Sequence, residues 1–206
     1  MAKFTYLLGA GVSAYALPIV SKMRDRMKSI SELVETFDFK NESFSSADKI
    51  QESISSAQKL FVQNLRWLAE TGNDQTIDGL ARTYYEKEDI EKFRRLKATL
   101  SAYILCEQTI QDDEFSRLDK RYHEFVHIAC QKQPNRHSLR PDIKVLSWNY
   151  DMQIEKAISG LWPDIDFSLL FDDLRVYPGK TQINDNKVSL VKLNGTAGFH
   201  TLHQVS

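Results

Sequence analysis

Apolar, strand-like runs stand near both ends of this chain, and most of the residues between them carry helical spacing. Phe4-Thr5-Tyr6-Leu7-Leu8 stops abruptly at Gly9-Ala10-Gly11, as a buried strand does when it enters a tight turn. Ile143-Lys144-Val145-Leu146-Ser147 and Val188-Ser189-Leu190-Val191-Lys192-Leu193 read as two further strands, and Ile165 to Phe171 as a fourth candidate. Pro18 falls where a first helical position is expected, ahead of Ile19, Val20, Met23 and Met27. Over residues 45–132 the apolar side chains recur every three to four positions, as in Ile50, Ile54, Ala57, Phe61, Leu65 and Leu68. Gln133 to Pro141 reads as a cationic loop. Strands on both sides of a helical block predict an α/β fold, a Rossmann-like parallel sheet carrying a large helical insertion. All 206 residues then form one domain, with the insertion at about 45–132.

Composition narrows the function classes. With 27 Lys+Arg against 28 Asp+Glu, the net charge of -1 gives no global reason to expect nucleic acid as a ligand. The basic clusters Lys22, Arg24, Arg26 and Lys28, and Lys92 to Lys97, read as solvated helix faces. Trp67, Tyr84 and Tyr85 read as packing residues. Cys106 and Cys130 are too few for a disulfide scaffold or a four-thiolate zinc site, and both read as buried thiols in helical segments. No window reaches the ~18 apolar residues of a spanning helix, and the N-terminus lacks a secretory pattern. The expected compartment is the cytoplasm, with no membrane partner and no metal.

Polar and glycine residues gather where the strands stop. Gly9-Ala10-Gly11-Val12-Ser13-Ala14 follows the first strand with the G-x-G-x-x-A spacing of a phosphate-binding turn. Its glycines permit close backbone approach, and free N–H groups at the start of the following helix favour an anion. The same residues also suit a plain glycine turn. Trp148-Asn149-Tyr150-Asp151 follows the second strand, where Asn149 and Asp151 suit a helix cap as well as a site. Asn194-Gly195-Thr196 follows the last, where a simple turn is the plainer reading. Ligands of parallel α/β sheets bind outside the carboxyl ends of strands, so three such clusters on one edge would surround a single crevice.

Together these segments resemble the sirtuin fold. Gly9-Ala10-Gly11-Val12-Ser13 with Leu17-Pro18 resembles its GAGxS…(I/L)P opening. Ser147-Trp148-Asn149-Tyr150-Asp151 is similar to its T-x-N-x-D element, and Lys192-Leu193-Asn194-Gly195 to its (K/x)-L-H-G element. Thr76-Ile77-Asp78-Gly79-Leu80 resembles the S-I-D segment of bacterial sirtuin-like NAD hydrolases from antiphage systems, which also carry a helical insertion. The resemblance implies that Gly9, Ala10, Gly11, Ser13, Asp78, Asn149 and Gly195 bind NAD. It implies catalytic roles for Asn149, which would orient the ribose and the attacking water, for Asp151 and for Asn194. The reaction implied is cleavage of NAD to nicotinamide and ADP-ribose in antiviral defence, under control of a homo-oligomer or a partner defence protein.

Two departures qualify these expectations. The family places histidine where this chain has Asn194, and an amide cannot accept a proton near neutral pH. Impaired turnover, or a catalytically silent NAD or ADP-ribose sensor, follows as the alternative, with His200 and His203 as substitutes of lower standing. The sheet of such a fold also continues beyond the third element, so either a longer protein or an unusually short sheet is expected. Without paired cysteines, a zinc-containing deacetylase is not expected.

Overall fold

A computed structural model of the chain describes residues 4–38, 48–71, 75–109, 118–133, 136–161, 174, 176–177, 189–194 and 197. In chain order the elements are β1 (Phe4–Leu8), a 3-10 turn (Ala10–Ser13), α1 (Val20–Thr36), α2 (Asp48–Glu70), α3 (Ile77–Glu86) and α4 (Ile90–Glu107). They continue with α5 (Lys120–Ala129), β2 (Cys130–Gln133), β3 (Arg136–Leu139), β4 (Ile143–Ser147), α6 (Gln153–Leu161), β5 (Val176–Tyr177) and β6 (Leu190–Lys192). The chain divides into two units, one formed by residues 1–17 and 104–206, the other by Pro18–Tyr103. The candidate strand at Ile165 to Phe171 lies outside the described residues.

The first unit holds a sheet in the order β1-β4-β6-β5, with every neighbouring pair parallel. This is an α/β arrangement with a parallel sheet, as the strand-like runs predict. Alternation decides which side of β4 faces inward: Ile143, Val145 and Ser147 are buried, Lys144 and Leu146 half-buried. Val145 and Leu190 pack with Tyr122, Val126 and Ala129 of α5 and with Ile154, Ala157 and Ile158 of α6 in one apolar core. Tyr6 meets Phe125 of α5 edge-on, with ring centroids 5.1 Å apart.

Three expectations for this unit need correction. The first strand is mostly exposed, with Leu7 at 63%, because β1 pairs on one side only among the described residues. The spacing predicts helix through residue 132 and a loop beyond, but Cys130–Gln133 pairs antiparallel with Arg136–Leu139. Only Cys130 and Leu139 of that ribbon are apolar, so no alternation announces it. Both cysteines are half-buried rather than buried, and burial pushes the Cys130 thiol up to about 12.

The elements described in the second unit are all helices. α1 begins at Val20, with Pro18 two residues ahead of it rather than at its first position. Arg24, expected on a solvated face, instead donates to the carbonyls of Leu68 and Ala69 at the end of α2 (2.9 and 3.2 Å) and of Gln75 beyond it (2.9 Å). A cation there satisfies orphan carbonyls and meets the negative helix end. Trp67 stacks on Tyr84, and the Arg95 guanidinium lies 4.2 Å from the Trp67 ring, so these aromatics pack as expected. Just past the end of α3, Glu88 has φ 55, and Asp89 N–H reaches back to the Tyr84 carbonyl at 2.9 Å. This left-handed cap suits glycine. Glu88→Gly is expected to raise stability by about 0.5–1 kcal/mol, read as a higher denaturant midpoint; a lower midpoint would refute the assignment.

Candidate functional site

Parallel pairing decides whether the three polar clusters can meet. Leu8 lies opposite Ser147, and Ser147 opposite Lys192. Gly9, Trp148 and Leu193 therefore leave the sheet side by side on the same rim. Trp148 N–H donates to the Leu8 carbonyl (2.9 Å), and Leu193 N–H to the Ser147 carbonyl (2.7 Å). Segments far apart in the sequence are brought together at the carboxyl ends of β1, β4 and β6.

Four side chains then close a buried polar network across that rim. Asn149 Nδ2 donates to the Gly9 carbonyl (3.1 Å) and to Ser13 Oγ (2.9 Å), with Tyr122 Oη at 3.3 Å. Ser13 Oγ donates to Asp151 Oδ2 at 2.7 Å and lies 2.9 Å from Tyr122 Oη. The serine has one proton, and the acceptor-only carboxylate takes it. Tyr122 and Asn149 therefore donate to Ser13. Burial, reinforced by the Asp151 carboxylate, pushes the Tyr122 hydroxyl well above its ordinary value of 10.0, so it remains a donor. Asp151 uses its other oxygen to accept from Gln153 N–H at the start of α6 (3.1 Å). Helix capping and site building are thus the same act for this residue.

Backbone geometry of the glycine turn leaves room above it. Gly9 has φ -109 and ψ 177, which any residue adopts, and neither Gly9 nor Gly11 has a positive φ. Among the described residues, a Cβ built at either position meets nothing within 4 Å. Ala10 lies in the same 3-10 turn. From the other side the turn is held by the start of α5. Asp119 Oδ2 accepts from Tyr15 N–H (3.1 Å), and Arg121 Nη2 donates to the Gly11 carbonyl (2.9 Å) and to Asp119 (2.7 Å). Burial raises the Asp119 carboxyl, but bonds from the Arg121 side chain and the Arg121 and Tyr15 N–H groups hold it net below its ordinary 3.8.

Beneath the rim lies an ion pair buried on both sides. Lys192 Nζ stands 3.0 Å from Glu155 Oε1 in ionic contact, donates to Glu155 Oε2 at 3.2 Å, and also donates to the Asp151 carbonyl. The side chains are 1% and 0% exposed. Burial raises the Glu155 carboxyl against the pull of Lys192.

Asn194 reaches the same rim. It is exposed, and its Nδ2 donates to the Trp148 carbonyl at 3.0 Å. Gly195, His200 and His203 lie outside the described residues. Asp78 belongs to the second unit, exposed in the first turn of α3 behind the Thr76 cap. Tyr122, Asp119, Arg121, Glu155 and Gln153 were not singled out from the sequence. Asp119 had a legible signal, a cap residue ahead of helical spacing; Tyr122 was hidden because an aromatic on an apolar stripe reads as core.

No family model, curated protein or solved structure matches this chain. Among the described residues, no group of three or more His, Cys, Asp or Glu side chains is placed to hold a metal ion. No described helix is long and apolar enough to cross a membrane.

Proposed function

We propose that the first unit is a Rossmann-like, sirtuin-like site that binds NAD and hydrolyses it to nicotinamide and ADP-ribose, in the cytoplasm, as part of bacterial antiviral defence. The observation that carries this reading is the convergence of Gly9, Ser13, Asn149 and Asp151 in one hydrogen-bonded network on a single sheet rim. Open space above Gly9 and Gly11 suits a pyrophosphate lying against backbone. Breaking the bond between nicotinamide and ribose C1′ leaves an oxocarbenium-like centre. It calls for fixed dipoles and a positioned water more than for a strong nucleophile. Asn149, with its amide nitrogen held by the turn, supplies such a dipole without changing charge. A homo-oligomer or a partner defence protein is the proposed control on an activity that depletes a cellular cofactor.

Asn194 favours a second reading, a silent NAD or ADP-ribose sensor, because its exposed amide has no proton-accepting nitrogen. Free nicotinamide, followed during incubation with NAD, separates the two. Slow release by the natural chain, accelerated about tenfold or more in Asn194→His, is the expected result for a hydrolase. NAD binding without release in either protein supports the sensor. A chain that neither binds nor cleaves NAD ends both readings.

A further inference from the structure

The network fixes which way round the Asn149 amide lies, and Tyr122 is the part of it that no motif supplies. The Gly9 carbonyl can only accept, so the Asn149 atom 3.1 Å from it must be Nδ2. Ser13 Oγ, with its one hydrogen directed at Asp151, can only accept from Asn149 at 2.9 Å. The polarity therefore runs one way, from Tyr122 and Asn149 into Ser13 and on to Asp151. Asn149 Oδ1 is left as the other end of the amide, with no hydrogen-bond donor among the described residues. It is an acceptor, suited to a sugar hydroxyl or a water and unsuited to a phosphate or carboxylate oxygen.

We infer that Tyr122 is a positioning residue: its hydroxyl, bonded to Ser13 Oγ at 2.9 Å and 3.3 Å from Asn149 Nδ2, locks the amide so that Oδ1 is presented to a hydroxyl-bearing ligand. The consequence for catalysis rests on the NAD reading above; the lock itself does not. Tyr122 is buried in the apolar core by its ring, so phenylalanine keeps the packing and removes only the bond. In Tyr122→Phe the Ser13 hydroxyl loses a donor and Asn149 Nδ2 loses its neighbour at 3.3 Å, so the amide, still directed by the Gly9 carbonyl, is held less rigidly and opens to solvent more often.

The test follows the Asn149 side-chain amide by NMR in 15N-labelled protein, its signals assigned by their loss in Asn149→Asp. The wild-type pair is expected to exchange slowly with solvent, and the Tyr122→Phe pair about tenfold faster, with a thermal midpoint within a few degrees of wild type. Nicotinamide release from NAD is expected to fall about tenfold in kcat with KM unchanged, a split that a general loosening of the fold would not produce. Wild-type exchange as fast as free asparagine would overturn the inference, as would a variant indistinguishable from wild type in exchange and turnover. If the amide is protected in a Tyr122-dependent way but the wild type neither binds nor cleaves NAD, the lock stands and the NAD reading falls.

Discussion

Replacing Lys192 with methionine is expected to remove about 3–5 kcal/mol of stability, the usual cost of stranding one partner of a buried ion pair. Methionine fills much of the lysine stem's volume, so lost packing is not the cause. Glu155 would be left with no exposure and no cation, and burial already pushes its carboxyl toward the protonated form. The Asp151 carbonyl would lose its donor in the same step. Urea unfolding measures the effect, and a companion double variant isolates the mechanism. Lys192→Met with Glu155→Leu is expected to recover most of the loss, since an apolar pair of similar volume often replaces a buried salt bridge at little cost. A single variant that loses less than about 1 kcal/mol would mean that the pair behaves like a surface ion pair.

The second large effect is expected at Gly9. Because its backbone is extended and a Cβ meets nothing within 4 Å among the described residues, Gly9→Val is expected to fold with a thermal midpoint within a few degrees of wild type. The branched side chain would occupy the space in which a pyrophosphate approaches the turn. NAD affinity is therefore expected to fall at least 100-fold, about 2.7 kcal/mol. Equal affinity in the variant would show that the ligand, if bound, lies elsewhere. Loss of the fold would show instead that the glycine serves the backbone.

Much of the parallel sheet was legible because strand ends carry local punctuation. Gly9 and Gly11 after Leu8, and Asn149 after Ser147, mark positions where apolar runs stop, and parallel pairing then puts those stops on one rim. What pairing cannot announce is which helix grips the rim. Tyr122 and Glu155 sit on helical faces with ordinary spacing, and their polar atoms acquire meaning only through partners more than 30 positions away. The β2–β3 ribbon was missed for the opposite reason: its stabilisation lies in backbone bonds, and its side chains are mostly polar. The exposure of β1 was missed because an apolar run reports propensity, not whether neighbours stand on both sides of the strand.

Backbone amide NMR during titration with NAD tests most directly whether the three strand ends line one dinucleotide site. Saturable shifts are expected at residues 9–13, 148–151 and 193–194 together, described by a single Kd. Shifts confined to one of these segments, or to residues 18–103, would contradict the shared pocket, and so would the absence of any saturable change.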